Sequence, residues 1–209
     1  MTVGSDAGLV DVLIPTCGRK TALAITLTGL LGQTFRDFSV VISDQTAHAP
    51  YLQDGELRTL YQALELRGHP VRTLVNLPAR GMAQQRQFLL EQARAPLVHF
   101  IDDDVLLGPT MLERMVEVLQ AERCGFVGAA VSGLHWFDHL QPEDLETFEP
   151  WTGPVRPEPH TWETIPWPRY RLHIRANPLH LSRLHAADGH TVRYKVAWVG
   201  AHVLYDRQK

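Results

Sequence analysis

Residues Leu97–Gly108, LVHFIDDDVLLG, constrain this chain more than any other stretch. An apolar run ends abruptly in three aspartates, Asp102, Asp103 and Asp104, and apolar residues resume at once. A short apolar run bounded in this way reads as a buried strand. Carboxylates at the carboxyl end of such a strand stand where open α/β sheets place their ligands. Three adjacent like charges beside a core repel one another and resist desolvation. A hard divalent cation with oxygen ligands would relieve that penalty. The run therefore points to a metal site that holds a phosphorylated ligand. The plainer alternative is an Asp-rich turn or helix cap. Against it, Pro109 suits the first turn of the next helix and makes Gly108 its cap, which leaves the aspartates too far upstream to serve that helix.

The segments before this run repeat one grammar. Val10–Pro15 reads as a strand and is followed by a turn, Pro15-Thr16-Cys17-Gly18-Arg19. A helix with an apolar face of Ala22, Leu23, Ile25, Leu27, Leu30 and Leu31 comes next. Phe38–Ser43 is a second strand ending in Asp44. Leu57, Leu60, Tyr61 and Leu64 mark a second helix that closes near Gly68. Val71–Val75 is a third strand and Gly81–Ala93 a third helix, which carries Met82, Phe88, Leu89 and Leu90. Leu97–Ile101 is the fourth strand, Pro109–Ala121 an amphipathic helix, and Gly125–Val131 a fifth strand. Strands alternating with helices over short loops predict parallel crossovers, with helices on both faces of one sheet. This is a Rossmann-like, doubly wound α/β architecture of the nucleotide-binding kind.

The grammar changes after Ser132. Residues 132–190 are rich in proline and carry four of the five tryptophans and seven of the eleven histidines, with little periodicity. Irregular stretches of this length inside a compact protein are usually binding loops or lids. Strand character returns at Val192–Val199 and again at Val203-Leu204-Tyr205.

At 209 residues the chain fits a single domain with a large insert. A net charge of −3 and the lack of any Lys/Arg block give no signal of a nucleic-acid partner, and none is expected. Phosphate would have to be held by local arginines, backbone amides or a metal. Cys17 and Cys124 lie in no CxxC pair and read as free thiols of a reducing compartment. The first residues, MTVGSDAGLV, do not read as a signal peptide, and no run approaches the length of a membrane span. A cytoplasmic location is the expectation.

Four pieces of sequence, in order and at matching spacing, resemble the family 2 glycosyltransferases of the GT-A fold. Val12-Leu13-Ile14-Pro15-Thr16 with Arg19 is similar to the family's opening strand and turn. Val40-Val41-Ile42-Ser43-Asp44 is similar to its second strand and terminal aspartate. Gly81 through Gln84-Gln85-Arg86 resembles the segment before the central strand, and Phe100-Ile101-Asp102-Asp103-Asp104 resembles the DxD motif. The resemblance covers Val10–Val131, and Lys195–Arg207 more loosely. It implies one GT-A domain over 1–209, with a nucleotide-sugar-binding half at 8–131 and an acceptor-side insert with final strands at 132–209. The sequence departs at Gln87, where the family usually has asparagine, and at Gln45-Thr46.

The resemblance implies an enzyme that moves a sugar from a nucleotide-diphosphate donor, most often UDP-linked, to a hydroxyl acceptor with inversion. Mn²⁺ or Mg²⁺ on the pyrophosphate would offset the charge of the departing diphosphate. It assigns metal contact first to Asp104. Asp102 would lie toward the ribose hydroxyls or share the metal, and Asp103 would serve either way. Asp44 would accept a hydrogen bond from a base N–H such as that of uracil. Pro15 and Thr16 would present backbone to the nucleotide. Arg19, Arg80 and Arg86 are the nearest cations, and the planar fork of arginine suits phosphate. Gly81 would let backbone approach the ligand.

In the family a late strand is followed by a glycine-rich segment and an acidic motif that supplies the general base. Nothing after Arg207 matches it. The expectation is either a shortened chain or a base drawn from the insert, where Asp138, Glu143, Asp144, Glu146, Glu163, Asp188 and several histidines are candidates, Asp138 and Asp188 first among them. His135 and His139 could share a helical face, but two ligands do not make a zinc site. His202 is a remote candidate for the metal. The tryptophans, Trp198 included, fit either an acceptor platform or the packing of a loop-rich insert. The acceptor would be a glycan, a lipid-linked glycan or a small molecule, and a lipid-linked one would bring the protein to a membrane surface. Two rivals stay open. A sugar nucleotidyltransferase would open with a glycine-rich, lysine-bearing loop that Pro15–Lys20 does not resemble. A catalytically incomplete nucleotide- or glycan-binding domain would bind without turnover.

Overall fold

A computed structural model of the protein describes residues 8–47, 51–129 and 202–208. The insert with its tryptophans, the Val192–Val199 segment, Asp138 and Asp188 lie outside the described residues. The elements are β1 (Val10–Thr16), α1 (Lys20–Leu31), β2 (Phe38–Asp44), a 3₁₀ turn at Tyr51–Gln53, α2 (Gly55–Leu66), β3 (Val71–Val75), α3 (Met82–Gln92), β4 (Leu97–Phe100), α4 (Met111–Glu122), β5 (Phe126–Gly128) and β6 (Val203–Asp206).

They form one six-stranded sheet in the order β3-β2-β1-β4-β6-β5. β1 to β4 are mutually parallel. β6 runs antiparallel between β4 and β5. The expected α/β class and the mostly parallel sheet with helices on both faces are therefore present. β1 is central and all seven of its residues are buried, as expected of a parallel strand covered on both faces. Alternation then sorts its side chains. Val10, Val12 and Ile14 join a core with Leu23, Leu27 and Leu30 of α1, Leu57 and Leu64 of α2, and Leu112, Met115 and Leu119 of α4. Leu13, with Val41 and Val98 from its neighbours, packs against Leu89 of α3 on the other face. No helix among the described residues is long and apolar enough to cross a membrane.

Three local expectations are corrected. α1 does not bury Ile25, which is 47% exposed; Thr26 is buried instead. The Thr26 hydroxyl accepts the Val105 N–H at 3.0 Å, so a polar residue holds the chain just beyond the aspartates. α4 starts at Met111, with Thr110 as its cap, rather than at Pro109. The Gly108 carbonyl is taken by Gln33 Nε2 and that of Pro109 by the Thr34 N–H, which ties this turn to the end of α1. Among the described residues the fifth strand covers Phe126–Gly128 and pairs with β6, while Ala130 and Val131 of the expected strand lie outside them.

Candidate functional site

The carboxyl ends of β1, β2 and β4 converge at one edge of the sheet. The parallel register sets Thr16 beside Asp44. The Ile101 N–H still bonds the Leu13 carbonyl, and Asp102–Asp104 follow immediately. Every residue proposed from sequence within 8–129 lies on this edge or on the segments that flank it.

The three aspartates face three environments. Asp103 points inward and is 3% exposed. Its Oδ2 accepts the Thr16 hydroxyl at 2.6 Å, and its Oδ1 lies 3.1 Å from Arg19 Nη1. Burial raises its pKa, against the opposing pull of Thr16 and Arg19. Asp104 points outward and meets Arg19 Nη2 at 2.6 Å, the two side chains being 47% and 52% exposed. The hydrogen bond that Arg19 donates to Asp104, and the charge of Asp103, raise the Arg19 pKa. Asp102 turns the other way, toward Arg86 Nη2 at 2.9 Å. The run is thus spread over two arginines, which answers part of the repulsion that the sequence implies.

Thr16 is the hub beneath Arg19. Because its hydroxyl donates to Asp103, Tyr51 donates to Thr16 Oγ1 at 2.6 Å. The Arg19 N–H in turn donates to the Tyr51 oxygen at 3.3 Å. Gly18, at φ 68°, makes the turn between them and donates its N–H to Thr46 Oγ1. Tyr51 carries no motif in the sequence, and only the 3₁₀ turn brings it here.

Asp44 is 1% exposed at the end of β2. Its Oδ1 accepts the backbone N–H and the hydroxyl of Thr46, an Asx turn. Its Oδ2 is buried and has no hydrogen-bond partner among the described residues. Such a group is costly unless something else meets it.

α3 braces this edge from the second face. Gln85 Nε2 donates to the carbonyls of Thr16, at 3.0 Å, and Ser43, at 2.7 Å. It therefore clamps the ends of β1 and β2 together. Gln84 Oε1 accepts from Gln45 and Asn76 side-chain amides. In the sequence this pair reads only as part of a motif; its structural work depends on contacts between residues far apart. Gly81 caps α3 at φ 93°, a conformation that favours glycine, and a Cβ there would meet nothing within 4 Å. Arg80 is exposed in the preceding loop. Pro15 is buried within β1, opposite Ser43.

His202 turns away from the role considered for it. Its Nδ1 lies 3.0 Å from Nε2 of His99 on β4, and both rings are buried. Burial lowers both pKa values, that of His202 to about 4, so the pair is neutral at pH 7. The Nδ1 of His99 has no partner among the described residues. A bare acceptor there costs less than a bare donor, so His99 carries its proton on Nε2 and donates it to His202.

No group of three or more His, Cys, Asp or Glu among the described residues is placed to hold a metal alone. Magnesium-like cations in phosphate sites use one or two carboxylates, with phosphate and water completing the shell. Half-exposed Asp104, with Asp102 beside it, fits that arrangement.

The sequence model described as glycosyl transferase family 2 matches residues 11–134. An Escherichia coli protein, UDP-Glc:alpha-D-GlcNAc-diphosphoundecaprenol beta-1,3-glucosyltransferase WfgD, is 21% identical over 58% of this chain and 45% of its own length. This chain thus spans less than half of that relative. Among solved structures, the mannosyltransferase PcManGT from Pyrobaculum calidifontis, in complex with GDP-Man and Mn²⁺, superposes with a TM-score of 0.51 at 21% identity, over 63% of this chain and 38% of that one. S. aureus TarS 1-349 in complex with UDP gives 0.51 at 18% identity, over 60% and 36%. Both likenesses are to the fold, which is GT-A. With the family pattern running from β1 past the aspartates, this chain belongs to glycosyl transferase family 2.

Proposed function

We propose that this domain binds a UDP-sugar with Mn²⁺ or Mg²⁺ at the ends of β1, β2 and β4, and transfers the sugar with inversion to a hydroxyl acceptor. The observation that carries the reading is the buried Oδ2 of Asp44, which has no partner among the described residues, beside a loop rich in anion- and cation-binding groups. A uracil N3–H would meet that oxygen, while Thr46 keeps the other one in place. Asp102 and Asp104 would hold the metal, Asp102 lying also toward the ribose. The metal would supply charge stabilisation for the leaving diphosphate. Asp103 acts through Thr16 and Arg19, since both of its oxygens are already engaged. Arg86, one fork nitrogen on Asp102, sets that carboxylate and offers a second cation to phosphate.

The relative named for a diphosphoundecaprenol-linked acceptor supports a lipid-linked glycan here. A soluble domain working from the cytosol at the membrane surface fits that acceptor. Asp138 and Asp188 of the insert are the proposed sources of the general base. Calorimetric titration of UDP, GDP and dTDP with Mn²⁺ and with EDTA tests the donor site. Metal-dependent UDP binding that disappears in Asp104→Ala is the expected result. Absence of nucleotide binding with metal present would leave the fold and remove the function. Donor hydrolysis then separates an enzyme from a domain that only binds.

A further inference from the structure

The guanidinium of Arg19 spans the inner and outer aspartates, Nη1 on Asp103 and Nη2 on Asp104. The two ends of that clasp differ. Asp103 is buried and locked by the Thr16–Tyr51 relay, so it cannot follow a moving partner. Asp104 and the Arg19 side chain are each about half exposed and free to rearrange. The backbone of Arg19 is fixed independently, its carbonyl accepting the Leu23 N–H at the start of α1. A divalent cation on Asp104 would have to sit beside the guanidinium that already answers this carboxylate's charge, at 2.6 Å from its Oδ2.

From this geometry we infer that Arg19 is a built-in competitor for the metal, which occupies Asp104 until a metal–diphosphate complex arrives and then turns its outer nitrogen to the diphosphate. This rests on the donor site proposed above and adds its order of assembly. Free metal meets a carboxylate whose charge is already answered. Metal arriving with a nucleoside diphosphate brings the anion that releases Arg19. The nitrogen on Asp103 acts as the pivot, and the charge around Asp104 stays balanced in both states. The result is positive coupling between metal and nucleotide, with little affinity for the metal alone.

Loss of a cation from a phosphate site weakens binding of the anion; here it should also strengthen binding of the metal alone. Mn²⁺ alone is titrated, with free Mn²⁺ read by electron paramagnetic resonance, into the wild type, Arg19→Gln and Arg36→Gln. Arg36 is exposed before β2, at the opposite end of the strands, and controls for net charge alone. The expected result is a Mn²⁺ affinity about tenfold higher in Arg19→Gln than in Arg36→Gln, as removal of a unit charge a few ångströms away in water implies. UDP affinity at saturating Mn²⁺ should fall in Arg19→Gln and be partly restored in Arg19→Lys. Equal or weaker Mn²⁺ binding in Arg19→Gln, in a protein whose circular dichroism matches the wild type, overturns the competitor role. Tighter Mn²⁺ binding without UDP binding by the wild type would uphold the clasp and sink the donor site instead.

Discussion

β2 and β4 both lead into carboxylates at the same edge of the sheet, and the protein treats them in opposite ways. Among the described residues Asp44 keeps one oxygen idle, with neutral groups around it: Thr46, Gln45 and the Gln85 clamp. Asp102, Asp103 and Asp104 are all engaged, with two arginines sharing them. On the proposed reading, one end would be a preorganised acceptor for a small uncharged donor group. The other would be a set of ion pairs to be exchanged for metal and phosphate. Preorganisation suits recognition of a base, whereas exchange suits a charge that comes and goes with the substrate.

The largest effect is expected at the exchangeable end. Asp104→Ala should lower metal-dependent UDP affinity by at least about 100-fold, as loss of a metal-directed carboxylate does. An unchanged titration would show that the outer aspartate is a mere partner for Arg19. Next, Gln85→Leu should destabilise the fold by about 2 kcal/mol, because two strand-end carbonyls lose a buried donor. Urea unfolding measures this, and an unaltered midpoint would mean that the neutral end does not depend on its clamp. Asp44→Asn should then cost about tenfold in UDP affinity, as for one lost hydrogen bond to a charged group. Thr46 will hold the amide oxygen and leave Nδ2 facing the base, donor against donor. Stability should change little. If binding survives intact, the idle oxygen is not the base reader.

The smallest effect concerns what lies under each end. Beneath the β2 end the brace is an amide with no titration, while β4 is tied to β6 through His99 and His202. Both histidines are held neutral, with pKa values below the ordinary 6.5. Unfolding lets them bind protons, so their contribution is complete above pH 6.5 and is lost as pH falls below it, for His202 down to about 4. From pH 7 to pH 6 the loss should be about 1 kcal/mol. Hydrogen exchange should show β4 and β6 amides opening before those of β1 and β2. Uniform loss of protection would erase the distinction between the two ends.

How much of this was legible in advance depended on the kind of residue. The strand at Val10–Thr16 and its turn could be read, since a run of apolar residues followed by Gly18 has few other uses. The acidic run at 102–104 was visible as a ligand site because adjacent charges at a strand end demand an explanation. Tyr51 and Gln85 were not legible as parts of that site. An isolated tyrosine and a glutamine inside a helix carry no periodicity, and each works through a partner 35 to 69 residues away. The expected burial of Ile25 failed because α1 meets the Val105 backbone there, and a hydroxyl on the adjacent residue satisfies an N–H that isoleucine could not.

Local sequence alone determined the element types, their order and the edge of the sheet where ligands belong. Those follow from apolar periodicity and from turns whose chemistry is short-range. The tertiary structure decided which aspartate faces inward, which arginine each one meets, and that Asp44 keeps an oxygen unspent among the described residues. Such choices are made by strand register and by side chains converging from different helices, and no window of neighbouring residues contains that information.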